Sequence, residues 1–167
     1  MRNFFEVIGD LISRAIDLIY PPFKKRVSLQ FFRYGVTGSS NLVFDWILYF
    51  TIYNYVLQKQ MLNLSFITFS SHIATLIIKF PIVLFTGFLL QKYVTFSCSD
   101  LRGRIQLFRY LVVVIINLII NYIGLKILVD GFDFYPSISN IIVSIFTVFV
   151  SYFSQKKYTF KNININK

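Results

Sequence analysis

Four stretches of this chain are apolar over the ~20 residues that an α-helix needs to cross ~30 Å of hydrocarbon, a length that leaves few other folds open to them. They lie at about Tyr34–Leu57, Phe66–Leu90, Arg109–Val129 and Ser137–Phe153. The third is nearly all Val, Ile, Leu and Asn, which would suit a buried strand, but its length points to a membrane helix. Composition agrees, since 56% of the 167 residues are hydrophobic and only 14% charged, against ~25% charged in an ordinary soluble domain. The expected class is an all-α integral membrane protein with four transmembrane helices.

Ahead of these spans, the segment NFFEVIGDLISRAIDLIYPPF places Phe4, Phe5, Ile8, Leu11, Ile12, Ala15, Ile16 and Ile19 on one helical face and Glu6, Asp10, Ser13, Arg14 and Asp17 on the other. It reads as an amphipathic helix stopped by Pro21-Pro22 and lying in the membrane interface. It lacks the continuous apolar core and small-residue cleavage site of a signal peptide. The organisation expected is residues 1–27 as this helix, 28–161 as the membrane domain and 162–167 as a polar tail.

One cysteine, Cys98, and one histidine, His72, leave no Cys/His cluster for zinc, so neither a metal nor a cofactor is expected. His72, near the outer end of the second span, reads as an interfacial residue. No nucleophile–base arrangement or carboxylate pair can be assembled from the motifs, which argues against an enzyme. The net charge of +10 comes from Lys and Arg flanking apolar runs. That pattern fits anionic lipids rather than nucleic acid. Fourteen of the 17 basic residues fall in the N-terminal segment, the middle loop and the tail. By the positive-inside rule both termini and the middle loop are cytoplasmic, with short outer loops near Lys59 and near Asp130–Pro136.

The chain also repeats itself. QFFRYGVTGSSNLVFDWI from Gln30 aligns without a gap on QLFRYLVVVIINLIINYI from Gln106, pairing Arg33 with Arg109, Tyr34 with Tyr110, Asn41 with Asn117 and Asp45 with Asn121. QKYVTF from Gln91 then aligns on QKKYTF from Gln155. Each copy is a helix pair that begins and ends on the same side, giving repeats over 30–97 and 106–161 related by an axis along the membrane normal, hence parallel two-helix repeats.

At these residues the chain resembles the GtrA-like family of small four-helix bacterial membrane proteins. The resemblance rests on FRYGVTGSSNLVFD, with Arg33, Gly38, Asn41 and Asp45 at the family's Arg-Phe, Gly, Asn and acidic-or-amide positions. It rests also on FLLQKYVTF and YFSQKKYTF, which are similar to the family's aromatic-rich Asn-Arg/Lys-x-x-Phe endings. It covers roughly Leu29 to Lys161. Gln91 and Gln155 depart from it, standing where Asn is commoner, and the second copy lacks the Gly. What the resemblance implies is a translocase that flips an undecaprenyl-phosphate-linked sugar across the bacterial cytoplasmic membrane for a glycosyltransferase outside. The alternative it implies is an adaptor that recruits such a cell-wall enzyme.

Residues that could carry this fall into two sets. Arg33, Lys92, Arg109, Lys156 and Lys157 stand at the cytoplasmic helix ends and could converge on a lipid phosphate, Arg as a bidentate fork and Lys as a point charge. Asn41, Asp45, Lys79, Asn117 and Asn121 lie inside the spans and could form a polar pathway. At ~1.5 Å per residue, Asp45 lies ~18 Å in from Arg33 and Lys79 ~20 Å in from Lys92, so the two charges could pair. Pro81 should kink the second span and free a carbonyl. Gly35, Gly38 and Ser39 would permit close helix contact, within the chain or in a homo-oligomer. A third class, a small multidrug-type exporter, would use Asp45 as its coupling carboxylate, for which a lysine at equal depth is a poor companion.

Overall fold

The computed structural model describes residues 4–58, 60, 62–64, 67–97, 99 and 101–161. Lys59, Phe66, Cys98 and the tail at 162–167 lie outside the described residues, as does the side chain of His72. The chain divides into two compact units, Met1–Ser97 and Cys98–Lys167.

In the first unit α1 (Phe4–Ile19) runs into a 3₁₀ turn at Pro21–Phe23, where proline removes the N–H that would continue the helix. α2 (Leu29–Thr51) starts at Ser28, whose hydroxyl accepts the Phe31 N–H at 3.3 Å, a standard N-cap. A short antiparallel hairpin, β1 (Leu62–Leu64) with β2 (Ile67–Phe69), sets Leu62 opposite Phe69. α3 (Ser71–Leu90) follows and continues on both sides of Pro81. The second unit holds α4 (Gly103–Lys126) and α5 (Pro136–Ser154), the latter opening on a proline at a position where the N–H is not needed.

The helix of the second span begins at Ser71, Phe66 lying outside the described residues, and among the described residues the all-α expectation is relaxed by this hairpin. Its sequences Leu-Asn-Leu and Ile-Thr-Phe alternate apolar and polar residues with a period of two, the pattern of a strand. Among the described residues three helices, over Ile73–Thr95, Gly103–Gly131 and Ile138–Thr159, are long and apolar enough to cross a membrane. α2, with 23 residues, is long enough at about 34 Å but carries Arg33, Asn41 and Asp45 among hydroxyls and glycines.

Each of α2 to α5 ends in one wide turn, at Ile52–Val56, Gln91–Thr95, Ile127–Gly131 and Gln155–Thr159. There the N–H groups of Leu57, Phe96 and Phe160 reach back five residues to the carbonyls of Ile52, Gln91 and Gln155, each at 2.8 Å. Such i→i+5 turns re-aim the residues around them. Val94, Thr95 and Phe96 in one unit, and Thr159 and Phe160 in the other, are buried as a result.

In the first unit α2 packs on α3 around Tyr34, Thr37, Ala74 and Phe88. In the second, α4 packs on α5 around Tyr110, Val113, Val143 and Tyr152. Gly35 and Gly38 face open space, since a methyl group on either would meet nothing within 4 Å, so of the two kinds of close contact open to them neither makes the one within the chain. Two other glycines do. A methyl at Gly9 would lie 2.7 Å from the Tyr93 carbonyl oxygen, and one at Gly124 would lie 2.9 Å from both γ-carbons of Val143.

α1 docks through an unexpected face. Its buried residues are Gly9, Ser13 and Ile16, while Phe4 at 74% and Leu18 at 81% are exposed. The Ser13 hydroxyl donates to the Gly9 carbonyl at 2.7 Å and lies 3.4 Å from the Val94 carbonyl, and the Phe5 and Tyr93 rings stack at 5.9 Å. A small residue at Gly9 lets the helix backbone approach the Gln91–Thr95 turn closely enough for these contacts.

Gly124→Leu is expected to lower the melting temperature of the protein in detergent, because overpacking a close contact costs about 1–3 kcal/mol. Val143→Ala added to it should restore most of the loss, and thermal unfolding of the two variants measures this directly.

Candidate functional site

Asp45 and Lys79 pair. Lys79 Nζ donates to both carboxylate oxygens of Asp45 at 2.6 Å and sits 5.3 Å from the centre of the Tyr49 ring. The side chains are 21% and 13% exposed, so neither charge is left in open contact with its surroundings. The equal depth expected from residue counting is realised, and the aromatic face supplies the ammonium with a second favourable neighbour. Within an apolar layer an unpaired ion of either kind is expensive, which makes the pair the register pin of α2 against α3.

One turn nearer the start of α2, Asn41 uses both ends of its amide. Its Nδ2 donates to the Val83 carbonyl at 3.3 Å, and its Oδ1 accepts from the Thr86 hydroxyl at 2.9 Å. Pro81 lies just before these partners on α3, and its missing N–H leaves the Ile77 carbonyl without its usual i+4 donor. Deeper in the core Thr37 and Thr95 share a hydroxyl contact at 3.2 Å, and Gln91 donates to Thr37 at 3.4 Å.

The second unit carries the same plan with altered chemistry. Asn117 donates to Ser151 at 2.9 Å, and Asn121 to Thr147 at 3.2 Å and to the Asn117 carbonyl at 2.9 Å. Where the first unit has Lys79, the aligned residue is Val143, packed against Gly124. Where it has Thr37, the aligned residue is the buried Val113. The Thr159 hydroxyl, aligned with Thr95, is fully buried and has no hydrogen-bond partner among the described residues.

Both arginines grip the wide turn that closes their own unit. Arg33 Nη1 donates to the Val94 carbonyl at 3.4 Å, and Arg109 Nη1 donates to the aligned carbonyl, that of Tyr158, at 2.8 Å. Carbonyls at a helix C-terminus are the negative end of the dipole, which favours a cation there. Lys92 and Lys156 also correspond, lying 5.9 Å from the Phe88 ring and 5.6 Å from the Tyr152 ring. Lys157 is exposed in the same turn as Lys156.

Arg33 has a partner that the sequence reading left out. Its Nε donates to Asp17 Oδ1 at 2.9 Å and its Nη2 to Asp17 Oδ2 at 2.5 Å, a bidentate pair across to α1. α1 also borders a groove of about 340 Å³ beside α2 and α3, in which Asn41, Ser40 and Thr86 are the polar residues of a mainly apolar lining. The sequence signal for this docking is Gly9, Ser13 and Asp17 at four-residue spacing, a ridge of small and polar residues along one side of the helix.

Asp45→Ala or Lys79→Ala alone is expected to destabilise the protein by about 3–5 kcal/mol, because each strands a charge. Asp45→Leu combined with Lys79→Met should recover most of that loss. Denaturation in micelles separates the outcomes, and a double variant as unstable as the worse single one would show that the pair is not the coupled unit described.

No curated protein and no solved structure matches the chain. A family model does: that of the GtrA/DPMS transmembrane domain matches residues 33–160, from the arginine that grips the Gln91–Thr95 turn to the phenylalanine that follows the last wide turn. With most of its length inside that match and three long apolar helices within it, the chain is a membrane protein of the GtrA/DPMS transmembrane-domain family.

Proposed function

We propose that this protein moves a polyprenyl-phosphate-linked sugar, of the undecaprenyl type, from the inner to the outer leaflet of a bacterial cytoplasmic membrane, where a membrane glycosyltransferase uses it. The observation that carries this reading is the family match over residues 33–160, because a GtrA/DPMS membrane domain implies a role tied to lipid-linked sugars. In this reading α2 is the fourth span beside α3, α4 and α5, and both termini face the cytoplasm by the distribution of Lys and Arg. The protein is a carrier and not an enzyme, and consumption of the sugar outside supplies the direction.

The polar groups take distinct roles. Within the second unit Arg109, Lys156 and Lys157 offer cations to a phosphate, within the first Lys92 offers one, and Arg33 holds α1 through Asp17. Asn41, Asn117 and Asn121 exchange hydrogen bonds with a passing headgroup, while the Asp45–Lys79 pair keeps the first helix pair in register. Pro81 supplies the point at which α3 bends. The Asn41 amide already borders a groove of about 340 Å³, room for a segment of an isoprenoid chain.

A second reading, an adaptor that recruits a cell-wall enzyme, has one specific support in the exposed apolar side chains of α1, among them Phe4, Leu11 and Leu18. Removing the residues before Lys24 tells the two apart. A translocase is expected to retain most glycan decoration of the cell surface after this deletion, and an adaptor to lose it. Mass spectrometry of lipid that copurifies with the full chain should find a polyprenyl phosphate sugar. Preparations free of any such lipid, together with loss of decoration in the deletion, would leave the adaptor reading in place.

A further inference from the structure

Arg33 and Arg109 occupy aligned positions, and each spends Nη1 on the carbonyl of an aligned residue, Val94 or Tyr158. The difference lies on the other edge of the guanidinium. In the first unit the Nε–Nη2 edge is filled by the carboxylate of Asp17, with one oxygen on each nitrogen. In the second unit, among the described residues, no carboxylate pairs with Arg109, whose guanidinium carbon lies 4.8 Å from the centre of the Tyr158 ring. Among the described residues of the second unit no helix equivalent to α1 precedes α4, and the wide turn that Arg109 contacts also carries Lys156 and Lys157.

We propose that the Nε–Nη2 edge of Arg109 is an oxyanion site for a phosphate ester, bound in the bidentate manner in which Asp17 occupies Arg33. The first unit thus carries its own anion, covalently part of the chain, and the second carries the open version of the same cradle. Three features fit the ligand class. A planar fork matches two oxygens of a tetrahedral phosphate as well as it matches a carboxylate. Its third nitrogen is tied to a backbone carbonyl, which fixes the direction of the fork before any ligand arrives. Two lysines add charge suited to an ester bearing one or two negative charges. The inference rests on the translocase reading for its biological ligand, but the site itself follows from the comparison of the two units.

The test is direct binding to the purified full chain in detergent, with farnesyl phosphate and inorganic phosphate as probes and no sugar or transport involved. The wild-type protein is expected to bind one farnesyl phosphate per chain. Arg109→Gln should weaken binding about tenfold or more, the loss of a charge-assisted bidentate contact, and Arg109→Lys should fall between the two, since it keeps the charge and loses the fork. Asp17→Asn should raise the stoichiometry from one to two by freeing the edge of Arg33. Displacement by inorganic phosphate assigns recognition to the phosphate group alone, whereas binding of farnesyl phosphate without such displacement assigns it to a lipid headgroup. Unchanged affinity in both Arg109 variants, with their melting temperatures as in the wild type, overturns the proposal. So does an Asp17→Asn protein that still binds one ligand and binds it at Arg33. Because sugar movement is never measured, the site can stand if the translocase reading fails.

Discussion

Hydrocarbon offers nothing to a polar group, so every donor, acceptor and charge placed between its surfaces must be answered by the protein itself. That constraint organises both halves of this chain. Asp45 is tolerable because Lys79 reaches both of its oxygens, and Asn41 because α3 offers it a carbonyl and a hydroxyl at one level. These bonds have long lateral reach and no freedom to slide, so they set which residue of α2 faces which residue of α3. The apolar contacts between the same helices, which any sliding would partly preserve, could not do so alone.

Divergence between the two copies follows the same logic. Replacing the charge pair by Asn121 with Thr147, and by Val143 against Gly124, trades one electrostatic fastening for a hydrogen bond and a close approach of backbones. The second unit has Val113 where the first has Thr37, and among the described residues the buried Thr159 hydroxyl has no partner where the first unit has a contact shared by Thr37 and Thr95. A lost hydrogen bond of this kind typically costs about 1–3 kcal/mol, a size that packing elsewhere can absorb.

Three of the four long helices were legible in the sequence because length and hydropathy specify them, α2 by its length and its place in the repeat, and the Asp45–Lys79 pair because a charge among apolar helices has so few ways to be satisfied. The aligned QKYVTF and QKKYTF segments signalled a shared feature without disclosing that it is a wide turn, since i→i+5 bonding leaves no periodicity over five residues. The docking of α1 is not something hydrophobic periodicity specifies: most of its apolar face, Phe4, Phe5, Ile8, Leu11 and Ile19, is exposed, and the contact is made by Gly9, Ser13 and Ile16 at one edge of it. Asp17 went unassigned because its partner lies in another helix, beyond any local spacing rule. The β1–β2 hairpin was hidden by its shortness.

The arginine at the head of each hairpin reaches the last turn of the helix that returns to the same surface. Start and finish of the pair are thereby tied, while the interior polar residues find most of their bonds within it. A hairpin closed in this way presents chiefly apolar side chains to its surroundings, and so it can leave the insertion machinery as a finished object. The doubled sequence is then also a schedule for biogenesis, in which the first pair of helices can settle in the bilayer before the second has been made.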